Sequence, residues 1–332
     1  MTWFDELMGF AETSPDEVRS RIAHSGATLR SLANGRTFTC GRLTTPSLAE
    51  LRTRVGALPG AGGPLAVREV VADVTGLHAD PANRDALFQV ASQFNLLEMV
   101  GPHVTPEAGV GNYENDRTQG PACAIAAGAG TIYRNYFVEI DGRLGQSESR
   151  QIDCLADLGR ALGRQDRALW VMRNGYALPT RAGLVEIRAR LADASEGERD
   201  ALRAKLRIGV QWDTEVTIAR TAHTVTQAFC SALPVAYAPH PLALWEPFAR
   251  LVLEAAYEAT LCVADLRARS TGCRTAYLTW LGAGAFGNPT DWVADALDRA
   301  LERCRGRHLD VVLVSHGASR PEARRLACRF PD

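Results

Sequence analysis

The stretch from Thr275 to Leu297 constrains this chain more than any other. Thr275 to Leu281 is an apolar and β-branched run that reads as a buried strand. It enters Gly282, Gly284 and Gly287, and leaves into Asp291-Trp-Val-Ala-Asp-Ala-Leu, the start of a helix. Strand, glycine loop and helix N-terminus together bring backbone N–H groups to one point. Glycine permits close approach there, and the helix start carries partial positive charge. The arrangement suits a phosphate group. Its spacing is neither G-x-x-x-x-G-K-[ST] nor G-x-G-x-x-G, so neither the P-loop nor the usual dinucleotide fingerprint is present. A plain glycine-rich strand-to-helix turn is the competing reading.

The rest of the chain alternates strands and helices around that loop. Val67–Ala72 and Leu87–Ala91 read as strands, the first running into Asp73 and the second into Ser92-Gln93-Phe94-Asn95. Polar residues just past the C-terminal ends of strands are where open α/β sheets bind ligands. Residues 100–121 form a long loop with Glu107, Glu114 and Asp116, and long loops in compact domains are usually functional. Gly120–Gly130 reads as a small-residue helix, Tyr133–Val138 as a strand, Ile152–Leu162 as a helix and Asn174–Pro179 as a turn. Residues 246–268 carry one apolar stripe at helical spacing, and Leu309–Ser315 is a last buried strand. The pattern predicts an α/β fold with a mostly parallel sheet covered on both faces.

Before residue 66 the chain reads as a helical N-terminal extension. Ser14-Pro-Asp-Glu17 starts one helix, with Val18, Ile22 and Leu29 on helical spacing, and Thr45-Pro-Ser-Leu-Ala-Glu50 starts another. Gly60-Ala-Gly-Gly-Pro64 then breaks the chain, so residues 1–65 and 66–332 form the expected division. Within the second part, the charge-rich segment of about 183–218 reads as an insertion with a solvated amphipathic face.

Charge and cysteine content narrow the function. A formal net charge of −1 offers no basic excess to neutralise phosphates, which excludes nucleic acid as an electrostatically captured partner. The 8 cysteines lie far apart with no C-x-x-C pair, so neither zinc nor a disulfide framework is expected. Met1-Thr-Trp-Phe-Asp-Glu6 lacks the basic and apolar segments of a signal peptide, and no apolar run reaches membrane-spanning length. A soluble cytoplasmic protein with no membrane partner is the expectation.

The order of these pieces resembles the macrodomain family, the ADP-ribose-binding fold, and within it the poly(ADP-ribose) glycohydrolase-like branch. The resemblance covers roughly residues 66–320. "VVADVTGL" is similar to the family's "GDIT" strand end, which makes Asp73 the expected adenine contact. "FQVASQFN" is similar to the strand ending in "NAAN", which makes Asn95, with Gln93 beside it, the expected contact to the distal ribose. "NGYALP" is similar to a family turn. "LTWLGAGAFGNPTDWVADAL" resembles "LGAWGCGAFGN", which wraps the diphosphate, so Gly282, Gly284, Ala285, Phe286, Gly287 and Asn288 become the expected ligand loop. The implied fold is a three-layer α/β/α sandwich with a mixed, mostly parallel sheet. The implied ligand is ADP-ribose or an ADP-ribosylated protein, with no cofactor required. Two family features are missing. The loop of three glycines followed by Val and Asp is replaced by Glu98–Gly120, and the double-glutamate signature is absent.

Cleaving an ADP-ribosyl bond passes through an oxocarbenium-like state, for which a carboxylate orients water or protonates the leaving group. The candidates are Glu107 and Asp116 in the long loop, and Asp213 with Glu215 in Ile208–Ile218. Strict alternation places the last two about 7 Å apart on one face of a strand. They would suit the guanidinium of an ADP-ribosylated arginine. A polar outer face of an edge strand competes for that pair, a solvated loop for Glu107, and a helix cap for Asp116. Phe286 is open between a ribose contact and a core role, and Cys123 reads as a buried structural thiol. The expected activity is ADP-ribosylhydrolase, removing ADP-ribose from modified side chains, arginine being the candidate. The alternatives are a non-catalytic ADP-ribose reader and a hydrolase of a free ADP-ribose derivative.

Overall fold

The computed structural model describes residues 1–58, 62–164 and 168–331. Helices α1 (Trp3–Met8) and α2 (Pro15–Ser20) open the chain, followed by strands β1 (Ile22–Ser25), β2 (Thr28–Ser31), β3 (Thr37–Thr39) and β4 (Arg42–Thr44), then α3 (Leu48–Gly56). Next come β5 (Ala66–Val71), α4 (Val74–Ala79), β6 (Leu87–Ala91), α5 (Gln119–Ala126) and α6 (Gly128–Ile132). Two hairpins, β7 (Glu139–Ile140) with β8 (Arg143–Leu144) and β9 (Trp170–Arg173) with β10 (Tyr176–Pro179), flank α7 (Ala156–Ala161). The chain ends through α8 (Arg181–Asp193), α9 (Glu196–Arg203), β11 (Gly209–Glu215), β12 (Thr224–Cys230), α10 (Leu242–Thr271), β13 (Thr275–Leu278), α11 (Thr290–Arg303), β14 (Asp310–Ser315) and α12 (Pro321–Arg329).

The main sheet has 7 strands in the order β4-β11-β12-β6-β13-β14-β5. Strands β12, β6, β13, β14 and β5 run parallel, while β11 is antiparallel to both β12 and β4. Both faces are covered, and the inner strands β12, β6 and β13 are almost wholly buried, whereas the edge strand β5 keeps Arg68 and Val71 exposed. Neighbouring residues of β6 mark the two layers. Phe88 stacks on His78 of α4 with ring centroids 3.8 Å apart, while Gln89 donates to the Thr260 hydroxyl of α10 at 3.0 Å on the other side. Helix α10 packs against α3, α8, α9 and α11 in one layer, and α4, α5 and α6 form the other. The protein is therefore a three-layer α/β/α sandwich with a mixed, mostly parallel sheet.

Several sequence expectations change. Residues 1–58 are not purely helical, because α2 stops at Ser20 and Val18, Ile22 and Leu29 are buried on α2, β1 and β2 instead. Gly26, at φ +57°, makes the tight β1–β2 turn that a continuing helix cannot. The segment is also not a separate lead-in: β4 pairs with β11 in the main sheet and α3 packs on α10. Part of the expected break at Gly60–Pro64, residues 60 and 61, lies outside the described residues. The 183–218 segment belongs to the layered body, since α8 and α9 cover α10 and β11 lies inside the sheet. Tyr133–Phe137 is one turn of π-helix rather than a strand. There Arg134 is fully buried, donating through Nε to the Leu96 carbonyl at 3.1 Å and through Nη2 to Thr131 Oγ1 at 3.0 Å.

Candidate functional site

Five parallel strands bring their C-terminal ends to one edge of the sheet. Asp73 follows β5, Ser92 and Gln93 follow β6, Ser231 follows β12, the glycine loop follows β13, and His316 follows β14. Helices α4, α5, α11 and α12 begin at the same edge, each after the strand that precedes it. The first turns of these helices direct backbone N–H groups toward that edge.

The glycine loop is braced from beneath and open above. Gly282 and Gly287 have φ of +74° and +70°, and a Cβ on Gly282 would lie 2.4 Å from the Ala232 Cβ. The buried Asn288 donates its side-chain amide to the Leu233 carbonyl at 2.9 Å and to the Gly282 carbonyl at 3.2 Å. Asn288 thus holds the loop's shape from below through Nδ2, while its buried Oδ1 has no partner among the described residues. Gly287 N–H donates to the Gly284 carbonyl, while the Gly284, Ala285 and Phe286 N–H groups donate to no group of the described chain. Gly284 and Ala285 are exposed. Beside the loop, the Arg320 guanidinium lies 5.2 Å from the Trp280 ring centroid and has no carboxylate partner among the described residues. Free N–H groups and a nearby free cation are what an anion requires.

Asp73 is exposed at the head of α4, with Oδ1 accepting the Thr75 N–H at 2.8 Å and Oδ2 uncommitted. The sheet order β6-β13-β14-β5 separates Asp73 from the end of β6 by three strand spacings, about 14 Å. The glycine loop lies between them.

Asn95 and Gln93 are buried behind this edge, and their side-chain amides are bonded within the protein. Asn95 is fully buried, donating to Gln151 Oε1 at 2.9 Å and accepting the Leu97 N–H at 3.1 Å. Gln93 accepts the Met99 N–H at 3.0 Å and donates to the Met99 carbonyl at 3.3 Å and to the Tyr176 hydroxyl at 3.4 Å. Both amides are consumed in folding residues 93–99 back on themselves. That corrects the ribose-contact assignment.

At the end of β6 the structure assembles a carboxyl pair that the sequence reading half missed. Gln119, first residue of α5, accepts the Ala91 N–H at 2.9 Å and donates to the Gln89 carbonyl at 2.8 Å, fixing α5 to the strand end. Asp116 is half-buried three residues earlier, and its Oδ1 accepts the Thr118 N–H at 2.9 Å. Glu98 is only 3% exposed, and its carboxyl accepts no hydrogen bond from any described residue, leaving Oε1 without a partner. It presses on the first turn of α5, where a Cβ on Gly120 would lie 2.3 Å from Glu98 Oε2. Burial holds the Glu98 carboxyl well above the usual range; the buried Arg134 guanidinium opposes that shift and the Asp116 carboxylate adds to it. Glu98 carried no motif signal. Its one sequence cue was a lone acid in the apolar run Leu96-Leu-Glu-Met-Val100.

A linkage prediction follows. The native state binds a proton at Glu98 that the unfolded state releases near pH 4.5, so the associated stability is present below that pH and is lost as pH rises through the folded value. Urea unfolding from pH 5 to 9 is expected to show a downward slope in wild type that flattens in Glu98→Gln.

Three rings join the carboxyl pair to the glycine loop. Tyr176 lies 5.5 Å from Phe286 and 5.4 Å from Tyr237, Tyr237 lies 5.7 Å from Phe286, and the Tyr176 hydroxyl donates to the Met99 carbonyl at 2.7 Å. Phe286 is therefore a half-buried wall of the edge. The loop carrying Asp116 is held from the N-terminal side. Glu12 accepts the Val110 N–H at 2.8 Å, the Gly111 N–H at 2.6 Å and the Tyr136 hydroxyl at 2.6 Å.

The other acidic candidates fall elsewhere. Glu107 is exposed and accepts the Glu148 N–H at 2.9 Å, stapling two loops. Asp213 and Glu215 lie at the opposite edge, because antiparallel β11 ends where β12 begins, with Glu215 beside Thr224. A bulge between Gln211 and Thr214, with Asp213 at φ +55°, breaks the alternation that grouped them. Asp213 is ion-paired with Arg267, and Glu215 accepts the Thr39 N–H at 2.8 Å. Asp213→Asn is accordingly expected to leave turnover within about twofold of wild type, since Asp213 lies at the opposite edge and the buried Arg267 keeps Asp85 as a carboxylate partner; steady-state kinetics check this. Cys123 is fully buried, and burial pushes its thiol far up, as befits a structural role. Among the described residues no group of three or more His, Cys, Asp or Glu side chains is placed to hold a metal ion. No helix is long and apolar enough to cross a membrane among them either.

No known family profile matches the chain, and no curated protein matches it. Among solved structures, it is similar to the poly(ADP-ribose) glycohydrolase of Thermomonospora curvata at 14% identity and a TM-score of 0.47, over 95% of this chain and 96% of that one. It is also similar to the poly(ADP-ribose) glycohydrolase of Deinococcus radiodurans in complex with ADP-ribose, at 14% identity and a TM-score of 0.47, over 87% of this chain and 92% of that one.

Proposed function

We propose that this protein is an ADP-ribosylhydrolase that releases ADP-ribose from a modified protein side chain; the arginine linkage is the one to test first. One observation carries the reading. A glycine loop with three free N–H groups and the Glu98–Asp116 carboxyl pair open on the same strand-end edge, joined by the Tyr176–Phe286 contact. The macrodomain-like motifs at Asp73 and Gly282–Asn288 supply the ligand's identity. In this reading Asp73 takes the adenine, the loop takes the diphosphate, and the distal ribose reaches the carboxyl pair.

Two carboxyl groups with unlike surroundings suit acid–base chemistry. Asp116, half-buried with Oδ1 accepting the Thr118 N–H, orients a water toward the anomeric carbon. Glu98, buried and without partners, holds a proton for the leaving nitrogen. As the water oxygen bonds to the anomeric carbon, the carbon–nitrogen bond breaks, Asp116 takes the water proton and Glu98 gives up its own.

The test is release of ADP-ribose from a mono-ADP-ribosylated arginine protein, followed by chromatography. Multiple turnovers are expected from wild type. Tight binding of ADP-ribose without release from arginine, serine or acidic side chains would replace the hydrolase with a non-catalytic reader. Release only from a free derivative such as ADP-ribose-1″-phosphate would replace the protein substrate.

A further inference from the structure

We propose that a second site, distinct from the strand-end edge, binds a small phosphate-bearing molecule. It is a cavity of about 300 Å³ between α8, α9 and α10, and no residue of the glycine loop or carboxyl pair lines it. Leu191 and Leu251 give it an apolar floor, and Arg188, Arg199, Arg203 and Arg250 approach from its sides, against one lining carboxylate, Glu254.

Two of the four guanidiniums are already matched. Arg203 is bonded to Glu254 and, at 2.7 Å, to Glu196. Arg250 is bonded to Glu246 and to Asp295, each at 2.8 Å. Arg188 and Arg199 have no carboxylate partner among the described residues, and the Arg199 Nε is buried with no acceptor. The cavity wall thus presents two guanidiniums with no carboxylate partner among the described residues. Two positive charges match the two negative charges of a phosphate monoester, and guanidinium forks match phosphate geometry. The volume lies at the small end of ligand sites, which suits a phosphate with one small substituent. Glu196, Glu246 and Asp295 are taken up by Arg203 and Arg250 and leave the other two arginines unneutralised.

The experiment is a methyl NMR titration of the full chain with inorganic phosphate at constant ionic strength. It is done in the Gly284→Glu background so that the glycine loop does not contribute. Saturable shifts of the Leu191 and Leu251 methyls at millimolar phosphate are expected, with affinity lowered about tenfold in Arg199→Met and in the exposed Arg188→Gln. Tighter binding of a sugar phosphate than of the free ion would identify an ester as the occupant, and equal affinity would identify the ion itself. No saturation at those methyls, or identical titrations in folded variants and parent, would overturn the proposal. Because the readout is independent of ADP-ribose, failure of the hydrolase reading leaves this test intact.

Discussion

Gly284→Glu is expected to abolish ADP-ribose binding while leaving the fold intact. Gly284 is exposed, its φ lies outside the left-handed region, and a Cβ there meets nothing within 4 Å. A side chain is therefore tolerated. A glutamate, however, brings a carboxylate to the three free N–H groups where the diphosphate would lie. Two like charges about 4 Å apart repel by about 4 kcal/mol at the effective dielectric of a protein surface. The affinity loss should exceed about a hundredfold, measured by calorimetry, with a melting temperature near that of wild type. Gly284→Ala, which adds no charge, should bind nearly normally. Gly282→Ala should instead lose about 1–3 kcal/mol of stability, because φ of +74° and the Ala232 contact both exclude a Cβ. A loop that merely turns the chain would not separate these variants in this way.

Asp116→Asn is expected to lower kcat by about 10²–10⁴-fold, the usual effect of removing one positioned acid–base group, with ADP-ribose affinity changed only a few-fold. Asparagine keeps an acceptor for the Thr118 N–H, so the cap before α5 survives and the loss is chemical. Single-turnover kinetics separate this from a binding defect. If Asp116 is only a helix cap, Asp116→Asn should turn over like wild type. Glu98→Gln provides the partner experiment, since it removes the donated proton and should also reshape the alkaline limb of the rate profile.

The glycine loop and the parallel core were legible because both depend on local pattern. The strand at 275–278, the glycines with positive φ and the helix from Thr290 are contiguous, and burial on both sides leaves the inner strands mostly apolar. What was not legible depended on where distant segments meet. Asn95 looked like a ligand contact by position after a strand, yet Gln151 and the Leu97 N–H claim its amide, and neither partner is predictable from spacing. Asp213 and Glu215 failed for a local reason: a one-residue bulge reversed the parity on which their shared face rested. Glu98 stayed hidden because nothing local shows that a lone acid in an apolar run is held against the first turn of α5. The N-terminal segment likewise read as a detachable helix pair, whereas Glu12 reaches across about a hundred residues of sequence to hold the Asp116 loop.

The most direct measurement is calorimetric titration of wild-type protein with ADP-ribose, beside AMP and ribose 5-phosphate. If the strand-end edge is an ADP-ribose site, binding is saturable and micromolar for ADP-ribose and at least about tenfold weaker for either half, because only the whole ligand spans from Asp73 to the Glu98–Asp116 pair. No heat of binding from folded protein, or equal affinity for AMP and ADP-ribose, would contradict the account.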